Sequence, residues 1–418
     1  MKIGNEIMLP VYSKNMSIVG WSDQGGRPDG VQIMVERGYA YIGHIFSRGF
    51  SVIDVRDPRK PRPVNYLEAP ENTWNLHLQS HDDLLLVIHA KDMFAQPELA
   101  DERNYYKGSA NFHAEEVGGI RNWSAGLAVY DIKDGAMPRR IGFMPVEGGG
   151  LHRIWYTGGR WAYASALLDG FADYILLIID MKDPARPVEA GRFWLPGMHI
   201  AGGEVPNWPS AIGRYGLHHP IVSGDFAYCS WRDACLAVVD VKDRAAPRLV
   251  THRCWAPPFG GGTHNALPLP GRELLVVLDE AVLDEGADGE KPIWLFDNRD
   301  KANPISIATF PEPAEAEYVR AGGHFGPHNL YENRPGHFVS EELVFATYQN
   351  AGVRAYDISN KFRPREVGAL VPPPPKRLID PRPNRPNVLH SADVFVDSGG
   401  LIYVTDFNAG LYIVEFRG

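Results

Sequence analysis

The chain repeats itself, and a repeat of this period leaves few folds open. Residues 39–64 read YAYIGHIFSRGFSVIDVRDPRKPRPV and residues 161–188 read WAYASALLDGFADYILLIIDMKDPARPV. Residues 226–250 (FAYCSWRDACLAVVDVKDRAAPRLV) and 344–367 (VFATYQNAGVRAYDISNKFRPREV) follow the same plan, with divergent copies at 84–142 and 274–308. The chain ends on a last copy, LIYVTDFNAGLYIVEF. An acid closes each apolar run: Asp54, Asp131, Asp180, Asp240, Asp297, Asp357 and Glu415. From Asp131 onward the intervals are 49, 60, 57, 60 and 58 residues, and the first, 77, contains an insertion. Seven units result.

Each unit divides into four short runs of β-branched and aromatic residues punctuated by Gly, Pro and Asp, the pattern of strands and tight turns. In residues 217–250 these runs centre on His219–Val222, Phe226–Trp231, Cys235–Val241 and Arg248–Thr251, with a Lys-Asp-x-x-x-Pro turn before the last. Four antiparallel strands repeated seven times predict an all-β, seven-bladed β-propeller occupying residues 1–418 as a single domain. The last unit stops after its third strand, while residues 16–22 (MSIVGWS) resemble the fourth strands at 139–145 and 188–196. The N-terminal strand is therefore expected to complete the last blade and close the ring.

The runs SVIDVRDPRKP, LLIIDMKDPARP and LAVVDVKDRAAP resemble the LVIVD repeat, a bacterial propeller repeat, and the resemblance extends over nearly the whole chain. It implies the fold. It does not imply a reaction, because propellers carry many unrelated chemistries.

Charge and composition narrow the partners. The 42 Lys and Arg against 51 Asp and Glu give a net charge of −9, with no basic run to suit nucleic acid or an anionic membrane. No stretch approaches a membrane span, and residues 1–13 lack the apolar core of a signal peptide. Three cysteines cannot build a disulfide framework, so Cys229 and Cys235 read as buried thiols and a cytoplasmic location is expected. The expected partner is a small-molecule substrate. Nothing in the sequence sets the oligomeric state.

Propeller geometry sorts the long loops. Residues 92–124 and 279–291 interrupt hairpins between second and third strands, and 195–217, 311–327 and 370–388 connect one blade to the next. All five belong on one rim, where they form a cap over the central channel. Loops of such length usually carry function.

Histidines gather at the same rim. Six units open their innermost strand with one: His77, His152, the pair His218 and His219, His264, His328 and His390. Some propellers use one histidine per blade structurally. Yet the innermost strands converge on the axis, and neutral imidazole is the commonest ligand of Zn, Mn and Fe. The arrangement also resembles propeller metalloenzymes with axial histidines, such as carotenoid oxygenases and oligogalacturonate lyases. We therefore expect one divalent transition metal on His152, His219, His264 and His328, four successive blades. His77, His218 and His390 would then face substrate as acid–base groups. Asp279, Glu280, Asp406 and Tyr348 end strands at this mouth and suit either support of the metal or proton transfer. Arg48, Arg153, Arg232 and Arg354, with Trp231, are candidates to hold substrate.

These residues predict a metal-dependent lyase or hydrolase acting on an aromatic or carboxylate molecule in a histidine-lined channel. Two alternatives stay open: a non-haem iron oxygenase, and a non-enzymatic scaffold that binds a protein or peptide on its top face.

Overall fold

The computed structural model describes residues 2–3, 6–7, 9–95, 103–104, 122–209 and 213–418. Most of the 92–124 insertion thus lies outside the described residues. The chain is a β-propeller. Its strands pair antiparallel with their sequence neighbours, beginning with the four-stranded sheet Gly30–Glu36, Tyr39–His44, Phe50–Asp54 and Arg62–Leu67. The sheets starting at His219–Ser223 and at Thr263–Leu269 follow the same order. Two further groups of this kind, Leu78–His81 through Arg139–Pro145 and Gly150–Trp155 through Val188–Phe193, join into one curled sheet by a single pairing, Ala90 with Gly150. No helix among the described residues is long and apolar enough to cross a membrane.

The N-terminus closes the ring as expected. Met16–Ser22 pairs along Gly410–Phe416, from Phe416 opposite Met16 to Leu411 opposite Ser22. It does more than expected, because Tyr12–Lys14 also pairs with Arg365–Val371 of the preceding sheet. The innermost segment of that sheet, at His328, is irregular: it pairs through the bridge of Leu330 with Ala346 and through backbone hydrogen bonds to Thr347 and Phe345 before the chain leaves for a loop.

The repeated acid does what turn chemistry predicts. Asp131, Asp180 and Asp240 each accept a hydrogen bond on Oδ1 from the amide two residues on, at 2.8–2.9 Å. A bulge follows in every pairing of third and fourth strands, for example between Ile178 and Ile179 and between Val238 and Val239. The bulge bends the outer strand, and glycine at the bend lets the next sheet's turn approach. A Cβ on Gly20 would stand 1.9 Å from the Pro58 carbonyl oxygen, and one on Gly191 would stand 2.1 Å from that of Arg244. Between the sheets lie fully buried apolar side chains such as Leu86, Leu176 and Val239, whose burial drives folding.

One sequence expectation about sulfur is corrected. Cys229 is a free buried thiol, but Cys235 is paired with Cys254 as a disulfide. The outer strand Arg248–Arg253 delivers Cys254 beside the hairpin that carries Cys235, a closeness that separation along the chain conceals.

Candidate functional site

The innermost strands bring seven histidines to one chamber on the channel axis: His77, His152, His218, His264, His324, His328 and His390. Each comes from the start of an innermost segment or the loop before it, so the propeller itself makes them converge. Along one arc, His77 and His152 have ring centroids 4.5 Å apart, His152 and His218 4.8 Å, His218 and His264 3.6 Å, and His264 and His328 4.7 Å. His390 lies 4.8 Å from His324 and stacks on Phe407 at 4.1 Å. The cavity they enclose measures about 70 Å³.

Backbone carbonyls orient two of these rings. His77 Nδ1 lies 2.6 Å from the His152 carbonyl and His218 Nδ1 3.0 Å from the His264 carbonyl. A carbonyl only accepts, so each Nδ1 carries the proton and each Nε2 keeps its lone pair. His264 Nδ1 is held likewise by Asn265 Oδ1 at 3.1 Å. The His218 and His152 Nε2 atoms face one another at 3.0 Å. Burial, reinforced by the charges of Arg153 and Arg232 nearby, drives His152, His218 and His264 well below the usual histidine range. His328 is pushed down to about 4, burial again outweighing the Glu280 carboxylate beside it. His77, His152, His218, His264, His328 and His390 are therefore neutral imidazoles at pH 7.

Glu280 enters this arc. Its Oε1 lies 3.3 Å from His328 Nε2 and its Oε2 3.5 Å from His264 Nε2. The Arg232 guanidinium also pairs with Glu280. Donor atoms of His264, Glu280 and His328 all fall within 4.8 Å of one another. Two neutral imidazoles and one carboxylate form a common three-residue set for catalytic zinc.

The structure gathers some of the predicted residues and disperses others. His77, His152, His218, His264, His328, His390 and Arg232 line the chamber. His219 does not, because it opens a strand and points oppositely to its neighbour His218. Its Nε2 instead meets Glu332 Oε1 at 2.8 Å, in a buried cluster with Arg153. Arg153 reaches Asn329 Oδ1 at 2.6 Å and is fully buried. Asp279 lies outside the chamber lining and accepts bonds from Thr263, Trp255 and Trp294. Asp406, raised by burial to about 6, accepts three backbone amides, including that of His390, and so positions that histidine. Tyr348 is buried against Phe325, and Trp231 against Phe193. Arg354 pairs with Glu315 and Glu366, and Arg48 lies half-exposed 3.8 Å from Asp92. None of these last four lines the chamber.

Two chamber residues carry weaker sequence signals. His324 sits four residues before His328, but Gly326 and Pro327 rule out the helix that this spacing suggests, and a loop brings both rings in instead. Arg382, in the 370–388 connection, sits over the Phe94 ring at 4.6 Å while pairing with Asp380. The described ends of the 92–124 insertion lie on this side, since Phe94 lines the chamber and Trp123 Nε1 donates to the Gly148 carbonyl.

Comparison with known proteins agrees with this architecture. The LVIVD repeat family matches residues 221–252 and 390–415. This chain is a β-propeller that carries LVIVD repeats at those residues. A hypothetical selenium-binding protein from Sulfolobus tokodaii shares 14% identity, with a TM-score of 0.57 and 92% of each chain covered. A β-propeller domain from Myceliophteria thermophila shares 12%, with a TM-score of 0.52 over 93% of this chain and 97% of that one. The periplasmic gluconolactonase of Pseudomonas aeruginosa shares 10%, with a TM-score of 0.52 over 97% and 100%. At such identities the likeness is one of fold. No curated protein matches the LVIVD-repeat chain in sequence.

Proposed function

We propose that this LVIVD-repeat propeller is a metal-dependent enzyme of hydrolase or lyase type, with its metal on His264, Glu280 and His328. The observation that carries the reading is the set of three buried donors within 4.8 Å, its imidazoles neutral. A divalent transition metal bound there supplies a Lewis acid and lowers the pKa of a coordinated water. The residues fit that group. Asn265 orients His264 through the ring nitrogen away from Glu280, the support that metal-binding histidines ordinarily receive. Arg232 holds the Glu280 carboxylate in place. His77, with Nδ1 protonated, presents its Nε2 lone pair as a hydrogen-bond acceptor in the same chamber.

Elemental analysis of protein purified without added metal tests this reading. The expected result is close to one equivalent of zinc, manganese or iron, lost on chelation. Protein that stays metal-free after incubation with each of these ions would overturn it.

A further inference from the structure

Besides the histidines, the chamber is lined by apolar side chains that have no part in metal binding: Val31, Ile45, Leu76, Phe94 and Phe407, with Trp74 among them, Phe407 stacking on His390. This mixture starts in the sequence, because the first blade places Val31 where the others place histidine. Trp74 is 3% exposed, and its indole Nε1 finds no hydrogen-bond partner among the described residues. A buried indole N–H ordinarily has an acceptor. An oxygen on a ligand would supply it.

Size restricts the ligand further. The cavity of about 70 Å³ is under half of the roughly 150 Å³ that holds benzene in an engineered apolar cavity. A sugar lactone or an aromatic ring therefore exceeds the space that the described residues leave. Charge restricts it too. Both arginines of the lining already face carboxylates, Arg232 facing Glu280 and Arg382 facing Asp380. An anionic head would thus go to the metal.

We propose that the chamber binds a short-chain aliphatic carboxylate of two or three carbons. Its head lies between the His264–Glu280–His328 set and the Trp74 indole, and its alkyl end lies on the wall of Val31, Ile45 and Leu76. The proposal rests on the metal reading above and adds to it the class and size of the ligand.

Calorimetric titration of the metal-bearing protein with acetate, propionate, valerate and benzoate tests it. Propionate is expected to bind about fourfold more tightly than acetate, the gain from one buried methylene. Valerate and benzoate are expected to bind at least tenfold more weakly than propionate. Ile45→Ala, which deepens the apolar end, should bring valerate up to the level of propionate. Trp74→Phe should weaken acetate about tenfold, the loss of one hydrogen bond to a charged group. Unfolding midpoints within a few degrees of wild type confirm that both variants fold. Benzoate binding as tightly as propionate would overturn the proposal, as would metal-bearing protein that binds none of the acids. Absence of metal in the same sample would instead overturn the metal reading. Acids that bind equally well to chelator-stripped protein would show that the head does not sit at the metal.

Discussion

At the scale of residues, burial does most of the work in the chamber. It holds His152, His218 and His264 neutral, and this has a consequence for pH. Above about pH 6.5 both folded and unfolded chains carry neutral histidine, so these groups add no pH dependence. Below it the unfolded chain binds protons that the native chamber refuses, until about pH 4 for His328. Stability therefore falls as pH falls through this window. The urea midpoint of metal-stripped protein should drop steadily from pH 7 to pH 5, and a midpoint flat over that range would contradict the assignment. Arg232 gives a second prediction. Arg232→Met leaves the Glu280 carboxylate buried without its guanidinium, which should cost metal-free protein about 3 kcal/mol in urea unfolding. A cost below about 1 kcal/mol would mean that the pair contributes little.

At the scale of elements, the fold was largely legible and the site only partly so. Repeat spacing, turn acids and the resemblance of residues 16–22 to outer strands predict the sheets and the closure at Gly410–Phe416. The second clasp, Tyr12–Lys14 on Arg365–Val371, has no counterpart in the repeat and so could not be read from it. The two clasps make Tyr12–Lys14 and Met16–Ser22 an integral part of the ring. Deleting residues 1–22 should unpair two sheet edges and replace one cooperative melting transition by a lower, broader one. Unchanged melting of the truncated chain, followed by circular dichroism, would contradict this. Histidine position was legible because strand starts converge on the axis. Side-chain direction was not. His218 and His219 are adjacent, yet alternation sends one into the chamber and the other to Glu332. The same alternation separates Asp279, held among tryptophans, from Glu280, which faces His264 and His328.

At the scale of the whole molecule, a buried arginine on the segment after Glu332 ties the sheets to one another. Arg334, buried, donates to Gln79 Oε1 at 2.8 Å and to the Ser80 and Tyr156 carbonyls, so the segment after Glu332 bridges several sheets. Arg334→Leu should lower stability by about 3 kcal/mol, since it strands buried acceptors and removes a cation near Glu332. The central claim is that a metal sits on the axis, held by His264, Glu280 and His328. Anomalous diffraction from crystals of protein purified without added metal, collected on both sides of the absorption edge of the metal found by elemental analysis, tests it most directly. One peak is expected at about 2.0–2.2 Å from an imidazole nitrogen of His264, one of His328 and an oxygen of Glu280. A peak elsewhere in the ring of histidines, or none at that edge, would contradict it.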